Sequence, residues 1–120
     1  MLTDDDLRRY LRDLEADNVE RTVGAADKDK FGEAICAFAN DLPNRRETGV
    51  LFIGVKDNGD CGNLTIDEKL IQTLADFRSN GTISPFPVMY VRKHTLDGCT
   101  IAIVEVVPSE NPPLKYRGRV

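Results

Sequence analysis

The most informative part of this chain is residues 31–62, FGEAICAFANDLPNRRETGVLFIGVKDNGDCG. It is typical of an amphipathic helix, a polar loop, an apolar strand and a turn that presents Asp57. Residues 50–55, VLFIGV, show no alternation of polar and apolar side chains, which indicates a strand covered on both faces. We therefore predict that this strand runs through the middle of a sheet and that the helix lies across it.

Apolar residues at helical spacing predict three helices. The first covers residues 4–16, the second follows an N-cap at Asp27, and the third begins at a capping box made by Thr65 and Glu68. The first turn of the first helix is acidic, which the helix dipole favours. We expect all three helices to pack on the sheet.

Further strands are predicted before and after the apolar strand. They cover residues 19–23, 88–94 and 100–107, and a hairpin turn at Asp97–Gly98 joins the last two. The sequence therefore predicts one α+β (mixed α/β) domain over residues 1–120, in which about three helices pack on a mixed β-sheet. The chain ends within a further predicted strand. We expect it to be the N-terminal part of a longer protein, with the C-terminal region as its partner.

The composition is that of a soluble globular protein, with 41% hydrophobic and 30% charged residues. No apolar run approaches the ~20 residues of a membrane span, so no membrane partner is expected. Cys36, Cys61 and Cys99 are widely spaced and form no CxxC pair, which predicts neither a zinc site nor a disulfide framework. Cys36 lies on the apolar helix and is assigned to the core. A reducing cytoplasm is the predicted location.

The net charge of −4 counts against nucleic-acid binding through bulk positive charge, although it does not exclude a local basic patch. The cations that would contact phosphates lie in the polar loop, after the apolar strand and in the tail: Arg45, Arg46, Lys56, Lys115, Arg117 and Arg119. Charged loops are more often simply solvated, and the tail cations fit an exposed edge equally well.

The motifs of several enzyme classes are missing from the sequence. There is no G-x-x-x-x-G-K-[ST] phosphate loop, no G-x-G-x-x-G and no G-x-S-x-G. His94 is the single histidine, and no nucleophile partner for it is evident. Catalysis by a triad of the Ser-His-Asp kind therefore has no support.

Three carboxylates remain as a candidate site. Glu15 and Glu20 are five residues apart, and a turn between the first helix and the strand that follows allows them to converge. Asp57 lies at the carboxyl end of the apolar strand, where sites gather in mixed sheets, although Asp-Asn-Gly is equally an ordinary turn sequence. Carboxylate oxygens suit Mg²⁺ or Mn²⁺, and such a site supports phosphodiester hydrolysis.

Residues 35–40, ICAFAN, and residues 49–59, GVLFIGVKDNG, together with Gly62, resemble the AlbA-like domain of the Schlafen family. The tail from Pro113 to Val120 resembles the tail of that domain. The resemblance covers nearly the whole chain. It implies a DNA- or RNA-binding domain of the kind that begins bacterial transcriptional-regulator-like proteins. The family has also been described as a divergent AAA domain, but this chain offers no phosphate-binding loop for ATP.

The resemblance also implies a catalytic alternative. In animal Schlafen proteins, related domains cleave structured RNA through three acids, and Glu15, Glu20 and Asp57 match those positions. Arg21 and Thr22 depart from the pattern, because the family usually has an aromatic residue and a lysine there. The loop over residues 41–49 is also longer than the usual connection, which reshapes any site beside it.

Three hypotheses follow from the sequence. The first is a nucleic-acid-binding module without catalytic activity. The second is an endoribonuclease that uses Mg²⁺ or Mn²⁺ at Glu15, Glu20 and Asp57. The third, which the acidic net charge favours, is a protein-interaction domain that forms a homodimer and has no affinity for nucleic acid.

Overall fold

The computed structural model describes all 120 residues of the chain. Its helices are α1 (Asp4–Arg12), α2 (Lys28–Asn40) and α3 (Glu68–Asp76). Its strands are β1 (Val19–Thr22), β2 (Gly49–Ile53), β3 (Ile83–Ser84), β4 (Val88–Leu96), β5 (Cys99–Val107) and β6 (Lys115–Tyr116). The predicted α+β class, with three helices and a mixed sheet, is confirmed.

Four strands form the main sheet in the order β1-β2-β5-β4, and β3 and β6 form a second, two-stranded sheet. β1 and β2 are parallel, while β5 is antiparallel to both β2 and β4. All five residues of β2 are buried. The prediction that the apolar strand runs through the middle of a sheet is therefore confirmed. β2 ends where Gly54 adopts a φ of +104°, a conformation that only glycine adopts readily.

The two faces of the main sheet carry separate apolar clusters. α2 and α3 cover one face, where Phe31 and Ile35 of α2 belong to the same buried cluster as Leu51 of β2. α1 covers the other face, where Leu7 is fully buried in a cluster with Phe52. The predicted position of the ICAFAN helix across the apolar strand is confirmed by this packing. α2, the longest helix, has 13 residues, and no helix of this chain is long and apolar enough to span a bilayer.

Two helix boundaries differ from the prediction. α1 ends at Arg12, four residues before the predicted end. There the Arg21 guanidinium donates hydrogen bonds to the carbonyls of Tyr10 and Leu11. α3 begins at Glu68 with Asp67 as its N-cap, because the Asp67 carboxylate accepts a hydrogen bond from the Leu70 N–H at 2.8 Å. The predicted cap at Thr65 was wrong, since an equally good capping residue stands two positions later.

The cysteines also correct the sequence-based prediction. Cys61 and Cys99 form a disulfide, with Cα atoms 5.7 Å apart, while Cys36 is free and buried as expected. β5 pairs with the last residue of β2 through Ala102, so Cys99 lies beyond the end of β2. Cys61 lies at the same place, because the turn after β2 folds back and Cys61 bridges to Val55. This proximity arises from sheet topology, which the spacing of 38 residues does not reveal.

Candidate functional site

The ICAFAN helix binds the tail of the chain through Asn40, its last residue. The Asn40 amide donates to the Leu114 carbonyl at 2.9 Å and accepts from the Leu114 N–H at 2.6 Å. The Cys36 thiol donates to the same carbonyl, and burial raises the pKa of this thiol. Cys36 is therefore a packing residue, and the polar groups at this end of α2 are used to hold the tail.

The tail continues along α2 toward the start of the helix. The Tyr116 ring packs against Gly32, where a Cβ atom would overlap the ring. The Tyr116 hydroxyl donates to the Asp29 carboxylate at 2.6 Å, and burial together with this hydrogen bond raises the pKa of Tyr116. Arg117 lies over the Tyr116 ring at 5.6 Å and forms an ion pair with Asp29 at 3.5 Å. The tail is thus fixed on α2 from Asn40 to Asp29.

The predicted cations of the tail are exposed. β6 pairs with β3, with Lys115 opposite Ser84, and the Arg117 N–H donates to the Thr82 carbonyl at 2.8 Å. Lys115, Arg117 and Arg119 all lie at the surface. Arg119 lines a groove of about 440 Å³ beside α2, together with Glu33. All three cations are therefore exposed within the last six residues of the tail.

The tail joins a part of the chain that has no acidic residues. Residues 77–96 and 111–120, which we call the acid-free region, contain none of the 20 Asp and Glu residues but six of the 16 Lys and Arg residues. β3 and β6, one from each segment, pair with each other. Its cations are Arg78, Arg92, Lys93, Lys115, Arg117 and Arg119. These two segments therefore carry six cations and no acid of their own, and carboxylates from other parts of the chain pair with two of the cations, Glu105 with Arg92 and Asp29 with Arg117.

The sequence-based reasoning missed Arg78 and Lys93 as candidate contacts. Both side chains are exposed in the structure. The absence of Asp and Glu over twenty successive residues can be read directly from the sequence and is the signal that would have found them.

The predicted loop cations are partly neutralised, and Arg46 lines a groove with Glu110 and Pro112 at the start of the tail. Arg45 forms ion pairs with Asp17 at 3.1 Å and with Glu47 at 3.8 Å. Arg46 donates from Nε to the Asn44 side chain. This loop precedes β2, whereas the exposed Lys56 follows it, so the length of a five-residue strand, roughly 17 Å, lies between them. The six predicted cations therefore do not form one surface.

Glu20 lies on the α2 side of the main sheet. Its carboxylate pairs with Lys30 of α2 at 3.5 Å. The next residue, Arg21, points to the opposite face, as alternation along a strand requires, and is only 8% exposed. There its guanidinium donates to the carbonyls of Tyr10, Leu11 and Asp13 at the end of α1. Arg21, which departs from the family pattern, is therefore a helix-capping residue.

Glu15 and Asp57 are both exposed near the end of α1. The Glu15 N–H donates to the Asp13 carboxylate at 3.2 Å. Asp57 lies in the turn that the Gly59 N–H closes on the Lys56 carbonyl at 2.9 Å. A Cβ atom on Gly59 would lie 3.1 Å from the Leu11 carbonyl, so this turn packs against the end of α1.

The three predicted acids do not meet in the structure. No group of three or more His, Cys, Asp or Glu side chains is placed to hold a metal ion. Glu20 is held on the α2 side by Lys30, whereas Asp57 lies in the turn at the end of α1. A catalytic or Mg²⁺- or Mn²⁺-binding role for Glu15, Glu20 and Asp57 stays a prediction.

Comparison with known protein families identifies a match over most of the chain. A family model described as "Schlafen, AlbA_2" matches residues 15–120. A search of the curated proteins found no match to the chain. The matched range includes the ICAFAN helix, β2 and the docked tail, whereas α1 lies before it.

Proposed function

We propose that this chain, which belongs to the Schlafen AlbA_2 family, is a nucleic-acid-binding domain that contacts DNA or RNA through its acid-free region. The observation that carries this proposal is the absence of every Asp and Glu from two segments that pair through β3 and β6. Phosphate contacts need Lys and Arg side chains that neighbouring carboxylates do not already neutralise.

The tail cations meet this requirement better than the loop cations do. Lys115 and Arg119 are exposed and form no ion pair, whereas Arg45 has two carboxylate partners. Arg117 forms an ion pair with Asp29 at 3.5 Å, so part of its charge is already compensated. We therefore assign the main phosphate contacts to the tail and a smaller role to the loop before β2.

Fluorescence anisotropy with labelled duplex and single-stranded oligonucleotides, of both DNA and RNA, tests the proposal across a series of salt concentrations. We expect affinity to fall as salt rises, with a slope of about 0.9 per neutralised phosphate on duplex DNA and about 0.7 on single strands. The absence of salt-dependent binding, even at low salt, would overturn the proposal.

A pair of double variants with equal charge change locates the contact. Lys115→Gln with Arg119→Gln removes two cations of the tail, and Arg45→Gln with Arg46→Gln removes two cations of the loop. We expect the tail pair to weaken binding more and to reduce the salt slope by about two units. Equal losses in both variants would mean that only net charge matters, which contradicts a contact centred on the acid-free region.

A further inference from the structure

The acid-free region also carries all of the exposed aromatic side chains of the chain. The sequence has five Phe, three Tyr and no Trp. Of these eight residues, only Phe86 and Tyr90 are exposed, at 62% and 46%. Val88 between them is 57% exposed, while Pro87 and Met89 are buried. This alternation places Phe86, Val88 and Tyr90 on one side of the segment.

The stripe formed by Phe86, Val88 and Tyr90 follows an open edge of the main sheet. β4 is the last strand in the order β1-β2-β5-β4 and pairs only with β5. At ~3.3 Å per residue, the Cα atoms of Phe86 and Tyr90 are roughly 13 Å apart along the edge. Two aromatic rings are therefore exposed along this edge, at a spacing that allows one extended strand of another molecule to contact both.

One cation lies near the start of this stripe. Lys115 is opposite Ser84, two residues before Phe86, whereas the exposed Lys93 farther along β4 points to the other face of the strand by alternation from Tyr90. The acid nearest in register is Glu105, opposite Tyr90, but it is 2% exposed and pairs with Arg92 at 3.1 Å. The next residue on the same side beyond Arg92 is His94, which contacts Asp4. The stripe therefore combines two exposed aromatic rings with an unpaired cation, Lys115, near its start, while Arg92 on its own face is paired with Glu105.

We propose that Phe86 and Tyr90 form a stacking platform for unpaired bases, so that the acid-free region prefers single-stranded nucleic acid to duplex. Bases of a single strand expose their flat faces, and aromatic side chains stack on those faces in proteins that bind single strands. A duplex hides the same faces and offers only phosphates and groove edges. This inference rests on the proposed function and specifies the class of nucleic acid.

Binding measurements on single variants test the platform. We expect the wild-type chain to bind a labelled single-stranded 12-mer more tightly than the duplex of the same sequence. Phe86→Ala and Tyr90→Ala should each weaken single-strand binding about tenfold, as expected for the loss of one stacked base, and should leave duplex binding unchanged. Tyr90→Phe should retain binding. Leu14→Ala, at an apolar residue 55% exposed outside the acid-free region, is the matched control without effect.

A spectroscopic measurement reports stacking directly. Because the chain has no tryptophan, Phe86→Trp creates a single indole reporter at the proposed platform. We expect its fluorescence to be quenched by the single-stranded 12-mer and to change little with the duplex.

The outcomes separate this inference from the proposed function. Equal affinity for single strand and duplex, with no effect of Phe86→Ala or Tyr90→Ala, would overturn the platform and leave nucleic-acid binding intact. No salt-dependent binding of either form would overturn both. If Phe86→Ala leaves nucleic-acid binding unchanged but converts a dimer to a monomer in size-exclusion chromatography, the edge is a protein interface and the platform is overturned.

Discussion

The two halves of the Schlafen-like motif are held in different ways. In the helix half, which is the ICAFAN helix α2, Asn40 and Cys36 form hydrogen bonds with the Leu114 backbone, and Gly32 leaves room for the Tyr116 ring. In the turn half, the Asp57 side chain is exposed and makes no hydrogen bond or ion pair, and the turn is fastened by a disulfide. The helix half is thus used for packing, whereas the turn half leaves the Asp57 carboxylate exposed and without a partner.

The largest effect on the free energy of unfolding should come from removing the disulfide that fastens the turn. The disulfide closes a loop of 38 residues, so Cys61→Ser with Cys99→Ser should lower the free energy of unfolding by roughly 3–4 kcal/mol in denaturant titrations. The wild-type chain titrated in dithiothreitol, which reduces the disulfide, is the matched control and should lose about as much stability as the double variant. Unchanged stability of the double variant would mean that the disulfide does not contribute to the stability of the fold.

Hydrogen exchange under reducing conditions sharpens the comparison between the two halves. We expect the amides of Lys56 and Gly62, which close the turn, to lose protection when the disulfide is reduced. The Leu114 amide, bound to Asn40, should keep its protection. Equal loss in both halves would show that they unfold as one unit.

The tail contact should have the next largest effect. Asn40→Ala leaves the buried Leu114 N–H without a partner and its carbonyl with only the Cys36 thiol. We expect a loss of about 2–3 kcal/mol in the free energy of unfolding, measured in urea. Asn111→Ala, at an exposed asparagine of the same tail, is the matched control and should change stability little. A neutral Asn40→Ala would contradict the structural role of the helix half.

The Tyr116 contact should be sensitive to alkaline pH. The pKa of Tyr116 is raised from its ordinary value of 10.0 by burial and by the hydrogen bond to Asp29. The raised pKa means that the unfolded state loses the proton first, so this stabilisation is complete below pH 10 and declines as pH rises above it. Tyr116→Phe should reduce this decline in thermal unfolding between pH 9 and 11. An identical pH dependence would contradict it.

The smallest effect on stability is expected at two of the candidate acids, Glu20 of β1 and Asp57 of the turn half. Glu20→Gln and Asp57→Asn alter partly or fully exposed side chains and should change the free energy of unfolding by less than ~0.5 kcal/mol. The same variants test the nuclease hypothesis with transfer RNA and Mn²⁺. If these acids act, any cleavage by the wild-type chain should be lost in both variants, and cleavage that survives would remove them from the mechanism.

The sequence predicted the elements whose signals are local. The buried strand at β2, the hairpin at Asp97–Gly98 and the cap at Asp27 follow from apolar runs and turn chemistry within a few residues. The disulfide was not predicted, because Cys61 and Cys99 meet only through the pairing of β2 with β5.

The candidate acid site depended on side-chain direction, which spacing does not give. Alternation along β1 places Glu20 and Arg21 on opposite faces, and Lys30 then holds Glu20 on the α2 side. The acid-free region, by contrast, is a property of composition that the sequence already contained. Its pairing through β3 and β6 became evident only in three dimensions.

The cap that Arg21 places on α1 has a practical consequence for anyone who shortens this chain. The family match begins at residue 15, after α1, so a fragment cut at that boundary would lose Leu7 from the core. It would also remove all three carbonyls that accept from the Arg21 guanidinium, those of Tyr10, Leu11 and Asp13, leaving a buried cation without these partners. The boundary of homology is therefore not a boundary of folding, and fragments should retain the first helix.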